Sequence, residues 1–142
     1  MNNPKHIKHN GSAMMEFALV LPMLLLLVFG IIEFGTALYD KAVITNASRE
    51  GARKGVIFKT PAVTDDEIKA TVANACANRL ITFGAPVDPE VDIQPPPGTA
   101  RTAGTPLSVT VTYQFTGLML GELISAISGE KTLTASTTMV IE

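Results

Sequence analysis

The bond between two small residues, Gly11–Ser12, is followed by a lone carboxylate, Glu16, and then by Phe17. Together they could support one kind of chemistry, which is peptide cleavage at a membrane surface. A peptidase there needs an accessible bond, and a Gly–Ser pair supplies one. The cut would make Ser12 the new N-terminus and Glu16 its fifth residue. A freed α-amine has a reference pKa of about 7.7–8.0, so much of it is protonated at neutral pH. It lies one helical turn before Glu16 and could also reach Glu16 of a neighbouring subunit. In low dielectric such an ion pair is strongly directional, and an unpaired partner costs several kcal/mol. Ser12 and Glu16 are therefore a candidate assembly pair that sets axial register. The alternative is a first-turn carboxylate favoured by the helix dipole, but acids at the edge of a membrane segment are costly and usually functional.

An apolar helix must position these groups. Phe17 to Ile32 carries no charge, and the stretch from Ser12 to Ile32 would be about 31 Å long as a helix, close to a bilayer's hydrocarbon thickness. Lys5 and Lys8 precede it, while Glu33 and Asp40 follow, which places the N-terminus in the cytoplasm. Apolar residues then continue at helical intervals through Leu38, Ala42, Val43, Ala47 and Ala52. Arg49, Arg53 and Lys54 before Gly55 mark a helix C-terminus. One helix from Ser12 to about Lys54 is expected, a membrane root below and an amphipathic half above. Pro22 removes a helical hydrogen bond, so a kink or loosening is expected there. Arg49, Glu50 and Arg53 are a possible interface, or else a solvated helix end with a Glu50–Lys54 pair.

Thr64-Asp65-Asp66-Glu67 reads as a capping box opening a second helix. Its buried face would hold Ile68, Val72, Ala75, Cys76 and Leu80, and its end is expected near Ile81–Gly84. Prolines dominate residues 86–106, with room for a short strand at Val91–Gln94. Leu107–Phe115 and Thr132–Ile141 alternate apolar and polar residues, the pattern of half-buried strands. Leu118–Ile127 between them suits a short helix or an apolar loop. The expected fold class is α+β, with a long membrane-rooted N-terminal helix, a second helix and an antiparallel sheet of two or three strands. The domain plan is a basic leader over 1–11, the long helix over 12–55 with its transmembrane half at about 13–35, and an extracytoplasmic head over 56–142.

Composition narrows the function. His6 and His9 both lie in the leader, so the cleaved chain lacks the histidine that Ser-His-Asp and Cys-His catalysis and the usual zinc sites need. Neither a phosphate-binding loop nor a dinucleotide fingerprint is present. Losing Lys5 and Lys8 takes the formal charge from −2 to −4, which argues against nucleic acid as a partner. Cys76 is the single cysteine and is expected to be a small buried hydrophobe. No enzymatic activity, cofactor or metal is expected.

Gly11-Ser12-Ala13-Met14-Met15-Glu16-Phe17-Ala18-Leu19-Val20-Leu21-Pro22, with Phe29–Gly35 and the Tyr39–Arg53 stretch ending in Asn46-Ala47-Ser48-Arg49-Glu50-Gly51-Ala52-Arg53, resembles TadE-like pseudopilins of the Tad (Flp) pilus system. The resemblance covers roughly residues 11–55. It implies a minor pilin-like protein of the bacterial inner membrane, cleaved after Gly11 by a prepilin peptidase. Its implied partners are other pilins, the inner-membrane assembly machinery and the lipid bilayer, and its implied roles are pilus biogenesis, adhesion or secretion. Major Flp pilins usually show Glu-Tyr at this motif, and Phe17 departs towards the pseudopilin branch. Two other readings compete: a permanently anchored protein binding a secretion-complex component, and a secreted binding module cut near Gly35-Thr36-Ala37.

Overall fold

A computed structural model of the chain describes residues 10–57, 62–96, 99, 101–117 and 131–141. The basic leader up to residue 9, with both histidines, and the expected helix or loop at Leu118–Ile127 lie outside the described residues. Helix α1 spans Asn10–Gly55, 46 residues, and continues through Pro22. It ends with Arg53 and Lys54 in its last turn, where cations complement the exposed carbonyls.

Helix α2 spans Asp65–Cys76 and begins as the sequence indicates. The Glu67 amide donates to Thr64 Oγ1, and the Thr64 amide donates to Glu67 Oε2, each over 3.3 Å. Its C-terminus comes earlier than the expected Ile81–Gly84. Ala77 leaves the helical region and Asn78 takes a left-handed φ of 57°, a conformation that asparagine tolerates and that stops a helix. The chain beyond it is drawn back onto α1, where the Ile81 amide donates to Asp40 Oδ1 over 2.9 Å. Ile68, Val72 and Cys76 are buried as expected, whereas Ala75 and Leu80 only partly enter the core.

Strands β1 (Glu90–Gln94), β2 (Pro106–Phe115) and β3 (Lys131–Val140) form one antiparallel sheet in the order β1-β2-β3. β2 buries every second residue, Leu107, Val109, Val111, Tyr113 and Phe115, so its alternation translates directly into an inner and an outer face. The outer face carries hydroxyls that bond across the strands, as between Thr110 and Ser136 at 2.9 Å. α1 lies over β2 and β3, and α2 packs beside α1.

The upper half of α1 turns inward part of the stripe that its hydrophobicity suggests: Ala47 and Ala52 are buried and Val43 packs against the core, but polar and small residues join them. Asp40, Ile44, Ala47, Ser48, Gly51 and Ala52 are buried, while Leu38 and Ala42 face outward. Ser48, a polar member of the stripe, is matched by the sheet, its Oγ bonding Thr137 Oγ1 at 2.8 Å, and beside the stripe the exposed Lys41 Nζ donates to the Thr134 carbonyl. Glycine is required at Gly51, because a Cβ there would meet Val72 Cγ2 at 2.6 Å and Val109 Cγ1 at 3.3 Å. The contacts order the head along α1. Asp40 lies at the level of Ile81 and Ser48 at that of Thr137, while the Gly51 and Gly55 backbones meet Val109 and Leu107. The ends of β2 and β3 nearest Phe115 and Lys131 therefore point towards the N-terminal half of α1.

Candidate processing and assembly site

The first turns of α1 hold the residues that the cleavage chemistry needs. Gly11 is exposed, and among the described residues a Cβ placed on it would meet no atom within 4 Å. The backbone of Ser12 belongs to the same helix. Glu16 follows four residues later and is exposed, as is Phe17. A spacing of i, i+4 puts Ser12 and Glu16 on one helix face. Terminal turns of helices fray, which gives a peptidase an extended substrate at little cost.

From Ala13 onward the helix qualifies by length and composition as a membrane span, and only 6% of its most apolar window is buried. That low burial separates it from the core helix of a compact domain, which would hide the same side chains. It is a candidate for the anchor of a single-pass membrane protein. Pro22 lies within this exposed stretch, as a proline can in a span whose freed carbonyl finds other partners.

Higher on the helix, Arg49, Glu50 and Arg53 are exposed. An ion pair is formed elsewhere, between Arg101 and Asp65, and among the described residues no salt bridge joins Glu50 to Lys54, the pair that one of the two readings of this helix end would supply. The two acids expected to mark the outer edge of the span, Glu33 and Asp40, are instead buried against the head, at 4% and 0% exposure. Packing overrides charge at both positions because they fall on the inward stripe of α1.

Asp40 is the feature that sequence reasoning missed. Its Oδ1 accepts the Ile81 amide, and its Oδ2 is buried with no hydrogen-bond partner among the described residues. Burial pushes its pKa up, partly offset by the Ile81 amide. Nearby, burial also raises the Tyr113 phenol, opposed by a hydrogen bond with Thr82 and reinforced by the Asp40 charge. Cys76 is a buried free thiol whose pKa is raised, again chiefly by burial, so it is held in the unreactive thiol form. The available signal for Asp40 was its spacing: it lies four residues before Ile44 and seven after Glu33, on one helical stripe.

A raised folded-state pKa means that the folded head binds the Asp40 proton more tightly than the unfolded chain does. The stabilisation is complete below the ordinary carboxylate pKa and is lost as pH rises through the raised value. Asp40→Asn keeps an acceptor for Ile81 and removes the buried charge. Thermal melts in detergent should therefore show Asp40→Asn more stable than the parent chain at neutral pH, with the difference shrinking as the pH falls. A parent-minus-variant difference independent of pH would contradict this role.

Taken together, one long helix whose lower half is uncovered, capped above by a second helix and a three-stranded antiparallel sheet, defines an α+β protein with a candidate membrane anchor. Residues 11–53 match the TadE-like protein family. The match takes in Gly11, Ser12, Glu16, Phe17, the apolar run and Arg49–Arg53, and it ends before the head. No curated protein and no solved structure matches the chain.

Proposed function

We propose that the chain is a non-enzymatic minor pilin, or pseudopilin, of a Tad-type pilus system. A prepilin peptidase cleaves it after Gly11, and the mature protein primes or joins a pilus at the bacterial inner membrane. The observation that carries this reading is the coincidence of the TadE-like match over 11–53 with an uncovered N-terminal helix whose first described turn holds the Gly11–Ser12 pair. The leader remains in the cytoplasm and the head is extracytoplasmic. After cleavage the Ser12 amine pairs with Glu16 of a neighbouring subunit and fixes its axial register, while Arg49, Glu50 and Arg53 are available to a second contact outside the membrane. Partners are the peptidase, other pilins and pseudopilins, and the assembly machinery.

Processing should depend on the small residue before the cut. Gly11→Leu expressed with a prepilin peptidase is expected to remain full length on a gel while the parent chain loses its leader. Equal processing of both chains would contradict the assigned bond. Burial of Glu33 and the packing of Ala37 against the core favour this reading over a secreted module cut at Ala37, which would strip part of the head's own packing.

A further inference from the structure

The charges that should end the membrane span do not face outward. Between Phe17 and Tyr39 the only ionisable residue before Tyr39 itself is Glu33, and it is buried in the head. Phe34, Leu38 and Tyr39 are 67%, 55% and 48% exposed. The outward face of α1 is thus free of charge over about 34 Å, at about 1.5 Å per residue. That length spans a hydrocarbon core of about 30 Å, whereas Phe17 to Ile32 alone covers only about 24 Å. Lys41 is the first exposed charge after Glu16.

We propose that the extracytoplasmic membrane boundary lies at Tyr39–Lys41, above Glu33, and that the head rests directly on the bilayer surface. Phe34 and Leu38 then contact acyl chains, and Tyr39 sits among the headgroups, where tyrosine is favoured because its ring is apolar and its hydroxyl polar. Three observations support a lipid occupant for this face. It continues the candidate span without interruption; its exposed side chains carry no charge to desolvate; and the acids at this depth, Glu33 and Asp40, are hidden by the head itself. The end of the head at this level also exposes Ile81 and Phe83, held there by the Ile81–Asp40 bond and by the Phe83 amide, which donates to the Thr116 carbonyl over 3.4 Å. The inference rests on the membrane reading of α1 and goes further by placing the head relative to the lipid.

Spin labels test both statements separately. The full chain, with Cys76→Ala and single cysteines at Leu24, Leu38, Tyr39 or Asn46, is reconstituted in phosphatidylethanolamine–phosphatidylglycerol vesicles. Collisions of each label with oxygen and with a water-soluble nickel chelate are then measured. Leu38 should resemble Leu24, with oxygen contact high and nickel contact largely lost; Tyr39 should be intermediate, and Asn46 should be aqueous. Nickel contact at Leu38 and Tyr39 equal to that at Asn46, with Leu24 in lipid, would overturn the seating of the head alone. Leu38 shielded from both reagents would mean that protein covers the face, which would also overturn it. An aqueous Leu24 would overturn the membrane reading itself.

Discussion

Glu16→Ala should leave cleavage and the head intact and remove the protein from pilus assembly. Glu16 lies in the uncovered part of α1, which makes no contribution to the head's core, so thermal stability of the head should not change. Inside a filament the situation differs. In the proposed assembly the mature amine and the carboxylate would meet in low dielectric, and removing one partner of a buried pair costs about 3–5 kcal/mol. That is roughly a 100-fold or greater loss in association. Surface pili, counted by electron microscopy in cells carrying the variant, should fall to the level of cells lacking the protein. Glu16→Gln should fail similarly, because it keeps the shape and loses the charge. Normal piliation in both variants would favour the permanently anchored alternative.

Gly51→Ala tests the other half of the helix and should lower the stability of the head. Alanine is the better helix former by about 1 kcal/mol, so a change at an unconstrained site would stabilise. At Gly51 the new methyl would sit 2.6 Å from Val72 Cγ2, between α1 and α2, with Val109 and Ile68 also within 3.5 Å. β-branched Val72 cannot swing aside as a longer side chain could. Overpacking of this kind typically costs about 1–3 kcal/mol, which outweighs the propensity gain. The melting temperature should fall by roughly 5–10 °C. Gly35→Ala is the control. A Cβ there meets nothing within 4 Å, so its effect should be neutral or stabilising. Equal behaviour of the two variants would mean that α1 and α2 do not approach as closely as described. Gly51 falls inside the segment that matches the TadE-like family, and its packing gives a physical reason for glycine between Glu50 and Ala52.

Local rules predicted well wherever they acted alone. Thr64 and Glu67 form the capping box because both partners lie within one turn, and β2 alternates because one face meets helices and the other meets water. Failures came where distant parts of the chain decide. The end of α2 depends on Asn78 adopting a left-handed backbone and on Asp40 capturing the Ile81 amide, a contact between residues 41 positions apart. The facing of α1 depends on which stripe the sheet accepts. Hydrophobicity placed Ala47 and Ala52 correctly, yet it also favoured Leu38 and Ala42, which face outward, and it passed over Asp40, Ser48 and Gly51, which the head accepts. Glu33 and Asp40 read as flanking charges because a sequence shows that a charge is present and not where it points. The proposed cleavage motif can be read from sequence because its chemistry would be confined to a few adjacent residues at the start of α1.

Mass spectrometry of the mature protein extracted from its native membrane, reading the N-terminal residue, addresses the central claim most directly. A chain beginning at Ser12 is the predicted result, since it requires cleavage after Gly11 and places a free amine one turn from Glu16. A chain beginning at Met1 would leave an uncleaved anchor with no assembly amine. A start near Leu38 would mean a secreted head, and either of these results would contradict the pilin reading.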